Sequence, residues 1–254
     1  MIEKLKSLIW FLKNPKYFSQ IFQLLKRSQN AELENSSGES LSWCKENQID
    51  QSEALVKLFG ENKYESLNEV FPKEIESAKK EEAKSPFAMG GEGAISFLYH
   101  VVENLKPRHV LETGVAYGWS SLAILLALEK NKDGRLISND MPYIKMNNED
   151  YVGCVVPMRL QKLWTLQRNA DKDGIPKAIK VYQGQLDLVH YDSDKSYCGR
   201  TWASPILWQA LRPGGIFISD DINDNLAFKH FGEKMGKTPL IVKHKGKYVG
   251  LIVK

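Results

Sequence analysis

The chain has 254 residues, 43% of them hydrophobic and 26% charged, with a formal net charge of +4. This size and balance fit a soluble globular protein whose core needs neither disulfides nor a structural metal. The charge is mild and its basic clusters, within 4–26 and 243–247, are local, so nothing argues for nucleic acid. Three isolated cysteines, Cys44, Cys154 and Cys198, form no CxxC pair and fit free thiols in a reducing, cytoplasmic compartment.

The N-terminus is both apolar and basic. Ile2, Leu5, Leu8, Ile9 and Leu12 follow a helical stripe, Asn14-Pro15 breaks it, and Tyr17, Phe18, Ile21, Phe22, Leu24 and Leu25 resume it. Charges interrupt the run, so it is no signal peptide. Two readings remain: a helix on a membrane surface or a partner, and an apolar face packed on its own domain or a second copy. Residues 28–50 are polar and read as a linker, and helical segments follow over 52–59 and 72–84. The breaker-rich stretch Ser85–Gly93 leads into an apolar helix from Ala94 to Leu105. The expected divisions are an amphipathic helical segment at 1–27, a linker with a helical cap at 28–84, and a main domain at 85–254.

The next stretch, HVLETGVAYGWSS from His109 to Ser121, reads as a buried strand, a glycine turn and a helix. Such a turn leaves backbone N–H groups free at a helix N-terminus, where an anionic group can sit. An ordinary turn between strand and helix is the plainer alternative. A second short strand, Arg135–Asp140, ends on an acid 26 residues past Gly114, a place suited to a ribose hydroxyl pair; a helix-capping or turn aspartate is the bland reading.

Lys180–Gly184 reads as a third strand, yet Leu186–Asp192 follows after a single residue. A parallel crossover needs about a dozen residues, so the edge of the sheet is expected to be shortened or irregular. Arg159–Ala170 reads as a covering helix. Ile216–Ser219 forms a further strand closed by Asp220-Asp221, and 238–243 with 248–254 form a terminal hairpin. Asp192 and Asp220, 28 residues apart, then share one carboxyl edge of the sheet. Four acids at two strand tips, with Asp194 and Asp221, suit a site better than a set of helix caps. His190, inside its strand, reads as core or as support behind the site.

Glu112-x-Gly114-x-x-x-Gly118-x-Ser120, Asp140, Asp192-Ser-Asp-Lys195-x-Tyr197 and Gly214-Gly215 followed by Asp220-Asp221 together resemble class I S-adenosylmethionine (SAM)-dependent methyltransferases. The nearest likeness is to metal-dependent small-molecule O-methyltransferases of the catechol and caffeoyl-CoA type and their sugar-modifying relatives. The resemblance covers about Met89 to Lys254. It implies an α/β, Rossmann-like sheet in the order 3-2-1-4-5-7-6 with helices on both faces, here with the strand 3 edge shortened or irregular and an N-terminal helical extension.

By resemblance, Met89, Gly91, Glu112, Gly114, Gly118, Ser120, Asp140 and Asp192 surround SAM. Asp192, Asp220 and Asp221 match ligands of a divalent metal such as Mg²⁺. Lys195, with Asp192, is the catalytic group, the lysine acting as base with a lowered pKa. The acceptor implied is a hydroxyl of a small molecule or glycan. The usual Asp-Asn is Asp220-Asp221 here, which leaves metal dependence open. A metal-independent methyltransferase and a non-catalytic SAM-binding protein with a degenerate adenine pocket are the alternatives. A nicotinamide dehydrogenase fits worst, because GxGxxG is absent.

Overall fold

The computed structural model describes residues 9–18, 21, 31–60, 63–144 and 148–254. Its centre is an eight-stranded sheet: β1 (Gln48–Ile49), β2 (His109–Thr113), β3 (Arg135–Asn139), β4 (Trp164–Gln167), β5 (Leu186–Tyr191), β6 (Leu211–Ser219), β7 (Leu240–His244) and β8 (Lys247–Val253). The spatial order is β1-β7-β8-β6-β5-β2-β3-β4. Read from β4, that is the expected 3-2-1-4-5-7-6 with β1 added beyond it. β8 runs antiparallel to both neighbours; every other pairing, including β1 with β7, is parallel.

Strand residues alternate between two apolar layers because successive side chains leave opposite faces. Val110, Leu136, Leu188, Ile216 and Ile218 point into one layer, with helices α4 (Ile95–Leu105) and α5 (Trp119–Asn131). Leu111, Ile137, Val189 and Phe217 point into the other, with α6 (Asp171–Val181), α7 (Tyr197–Ala210) and α8 (Ala227–Lys234). β5 is buried along its whole length, as a central parallel strand covered on both faces should be.

The sheet edge differs from expectation. Lys180–Gly184 is not a strand: Lys180 and Val181 end α6, and the third family strand is β4, inside the segment expected to be a helix. β4 is short but pairs in register with β3 at four positions. The helix expected to be missing is α6, which carries the chain back across the sheet. Gly174 and Pro176 inside it disguise it as a loop. Gly174 is needed there, because a Cβ would collide with the Asn139 side chain.

Residues 31–49 also depart from the linker reading. Ala31–Glu34 forms one helical turn and Ser37–Asn47 forms α1, with Ser40 and Cys44 buried. Asp50 then accepts from Glu53 N–H and caps α2 (Gln51–Phe59). α3 (Pro72–Glu82) ends the cap region, with exposed Lys80–Glu76 and Lys84–Glu81 pairs on its solvated face.

Much of the N-terminal stripe, including Ile2, Leu5, Leu8, Phe22, Leu24 and Leu25, lies outside the described residues. Within them, Phe11 and Tyr17 are buried with Ala170, and Trp10, Ile21, Met141 and Ile144 pack around them. The Tyr17 hydroxyl donates to Arg168 O at 3.2 Å. This part packs on its own domain, with Ile9, Leu12 and Phe18 left exposed. Among the described residues no helix is long and apolar enough to cross a membrane.

Candidate active site

The carboxyl ends of β2, β3, β5 and β6 open into one cavity of about 920 Å³, lined by Met89, Gly91, Gly114, Ser120, Asp140, Asp192, Lys195, Asp220 and Asp221 among others. That position, outside the strand ends where the order turns back from β2, is where open α/β sheets bind ligands. The volume suits a nucleoside-sized molecule with a small second ligand.

Gly114 begins the turn after β2 with φ +80°; a Cβ there would run into the Asp192 carbonyl. Only glycine lets the β2 and β5 tips meet this closely. Two expected residues stand behind the cavity rather than in its wall. Gly118 is the N-cap of α5 against Gly153. Glu112 is fully buried and accepts from Ser121 Oγ at 2.5 Å and Ser138 Oγ at 2.6 Å, so it ties α5 to β3 beneath the glycine turn.

On the far side of the turn Asp140 pairs with Arg168 at 2.8 Å. Burial pushes its carboxyl up to about 6, against the pull of Arg168. Asp171, at the start of α6, also lines the cavity; burial raises it to about 6 while Ser193 and Asn139 hold it by hydrogen bonds. Sequence reading missed Arg168 and Asp171 because they follow the unrecognised β4. An acid just beyond a recognised edge strand would have been the signal.

Met89 closes the roof. Its carbonyl accepts from the Tyr143 hydroxyl at 3.0 Å, and its sulfur accepts from Asn148 Nδ2 at 2.7 Å. Tyr143, also missed, lines the cavity.

The acidic corner is crowded with cations. Lys195 Nζ lies 2.9 Å from Asp192 Oδ1 and also pairs with Asp221. Lys247 Nζ lies 3.1 Å from Asp221 Oδ1. His190 stands 3.4 Å from both Asp220 and Glu112. Burial would lower the His190 pKa, but Asp220 and Glu112 outweigh it and raise it to about 10. Asp192 rises to about 6 through burial and the neighbouring Asp220. Burial likewise depresses Lys195, but Asp192 and Asp221 more than compensate, so its pKa is raised. This reverses the expected lowered pKa: an ammonium between two carboxylates keeps its proton.

The same geometry tests the fit of a divalent metal. Hard cations take several oxygen ligands around one point. Among the described residues no three acidic, histidine or cysteine side chains converge in that way. Lysines and a histidine already neutralise the three carboxylates, so the set as arranged does not fit the ion.

A family model described as "Methyltransferase domain" matches residues 111–222, the span from β2 to the turn after β6. The chain has the class I methyltransferase fold. Its sheet aligns with solved structures of that fold, and each likeness, at its low identity, concerns the fold alone. The O-methyltransferase from Bacillus cereus in complex with SAH is 16% identical, with 74% of this chain and 95% of that one covered at a TM-score of 0.52. TomG from Streptomyces achromogenes, an O-methyltransferase in tomaymycin synthesis in complex with SAM, is 16% identical over 74% and 91%, TM-score 0.52. A putative O-methyltransferase from Klebsiella pneumoniae is 16% identical over 80% and 96%, TM-score 0.52. No curated protein matches the chain. In this methyltransferase fold, the cavity occupies the place where the glycine turn and the acidic strand tips converge.

Proposed function

We propose that the chain transfers a methyl group from SAM to a hydroxyl of a small molecule or glycan. The observation that carries this reading is the meeting of Gly114, Ser120, Asp140 and Asp192 with Lys195 in one cavity. The α5 N-terminus and Ser120 face the methionine carboxylate of SAM, Asp140 takes the ribose hydroxyls, and Asp171 takes a polar edge of the adenine. Met89 and Gly91 cover the donor from above.

SAM supplies an electrophilic methyl on a sulfonium. The acceptor oxygen attacks that carbon, the C–S bond breaks, and the sulfonium becomes a neutral thioether. The hydroxyl proton must leave. Asp192, with a pKa of about 6, is ionised at neutral pH and can take it. Lys195 stays charged and stabilises the developing oxyanion. In this reading Asp192 is the base and Lys195 the charge that stabilises the oxygen. A divalent ion on Asp192, Asp220 and Asp221, the metal reading, would first have to displace Lys195 and Lys247 from these acids.

Labelled SAM, a panel of hydroxylated small molecules and sugars, and calorimetry test the proposal. Asp192→Asn and Lys195→Met should each retain SAM binding and lose about a hundredfold or more in transfer. Transfer should persist in chelator. Loss in chelator with recovery in Mg²⁺ favours the metal reading. Wild-type protein that binds SAM but methylates nothing on the panel defeats the enzymatic assignment.

A further inference from the structure

Arg200 is a permanently charged side chain that is 2% exposed. Burying such a group is costly unless its donors are matched. Here they are. From α7, Nε donates to Lys195 O at 3.2 Å and Nη1 to Ser219 Oγ at 2.6 Å. Nη2 donates to Asp220 O at 2.9 Å and to Asp221 O at 3.0 Å. Three of the four acceptors are main-chain carbonyls of residues whose side chains line the cavity. They belong to two separate loops, one after β5 and one after β6.

We propose that Arg200 is a positioning residue that holds the Lys195 loop and the Asp220-Asp221 turn in fixed register, so that the lysine meets both acids. The proposal rests on the methyl-transfer reading above. Arg200 has a specific strain to oppose: Asp221 sits at φ +50°, a left-handed conformation unusual for a residue with a Cβ. A charge-assisted bond to the Asp221 carbonyl holds it there. Asn225 Nδ2 ties the Lys195 carbonyl to the same turn at 2.8 Å.

The N-terminal extension braces the arrangement from behind. Ser40 Oγ donates to Ile222 O at 2.7 Å and Asn225 O at 2.9 Å. Glu34 accepts from Tyr197 N–H at 2.9 Å and Cys198 N–H at 3.0 Å, which anchors the start of α7. The brace thus reaches outside the span 111–222 matched by the methyltransferase model.

Arg200→Lys removes the fork while keeping the charge, and Ser40→Ala removes only the rear brace. Both are compared with wild type by SAM calorimetry, by steady-state methyl transfer and by amide hydrogen exchange over 193–196 and 219–222. For Arg200→Lys, kcat should fall about tenfold or more while SAM affinity changes less than about threefold, because misplacing reacting groups costs rate rather than donor binding. Exchange in both loops should rise, with α5 unchanged. Ser40→Ala should do the same more weakly, and Ser219→Ala, which removes the Arg200 Nη1 bond, carries the test if Arg200→Lys does not fold. A folded variant with wild-type kcat, or with unchanged exchange in the two loops, overturns the proposal. If wild-type protein transfers no methyl group, the functional reading fails, and the exchange contrast alone then decides whether Arg200 sets the register.

Discussion

Asp140 is under two opposing influences. Burial favours its neutral form, Arg168 favours its carboxylate, and the balance leaves a pKa of about 6. In the proposed reading Asp140 takes the ribose hydroxyls, and only its carboxylate form accepts from both through charged oxygens. SAM affinity should therefore hold from pH 8 to 7 and weaken as pH falls through 6, as calorimetry at a series of pH values would show. Asp140→Asn should lower affinity about tenfold or more and flatten the pH dependence to what Asp171 alone imposes, since a hydrogen bond to a charged group contributes about 1.5–3 kcal/mol. An affinity flat between pH 5.5 and 7.5 in wild type would place the ribose elsewhere.

The strand tips set how tightly these groups can gather. Gly114→Ala asks a side chain to occupy the space of the Asp192 carbonyl while holding φ near +80°. Both penalties act on the folded state, together about 2–5 kcal/mol. The expected result is a marked fall in melting temperature and loss of SAM binding; a stable variant with normal affinity would show that the β2 and β5 tips need not touch. This glycine turn was legible in the sequence because its requirements are local. The same holds for β3, β5 and the β7–β8 hairpin, whose apolar runs and turn residues lie in one short window. β4 was not legible: four residues behind the 3-10 helix Met158–Leu163 merge with its Leu160 and Leu163 into a helical spacing. α6 hid behind Gly174 and Pro176, where packing against Asn139 overrides helix propensity. The lysine-filled acidic corner was invisible for another reason. Lys247 comes from β8, and no local pattern announces that it reaches Asp221.

Across the whole molecule, most of the shifted buried charges around the cavity act on stability in one direction. Asp140, Asp171 and Asp192 hold protons up to about 6, whereas an unfolded aspartate releases its proton near 3.8. His190 holds its proton up to about 10 in the fold and near 6.5 outside it. In each window the folded chain binds more protons than the unfolded one. Stability must then fall as pH rises: through about 4 to 6 for the carboxyls, and through about 6.5 to 10 for the histidine. Asp221 opposes this, since its lowered pKa favours the fold above the usual carboxylate range, but that contribution is already complete by neutrality. Unliganded protein should therefore melt higher near pH 6 than near pH 9. His190→Gln should melt lower at pH 6 and lose most of the slope between pH 6.5 and 9, because it removes the raised histidine that titrates across that span; His244, which burial lowers from 6.5, acts below the span with the opposite sign. A melting temperature that climbs from pH 6 to 9 in wild type would mean that His190 is neutral in the fold. The contacts with Asp220 and Glu112 would then not be ion pairs.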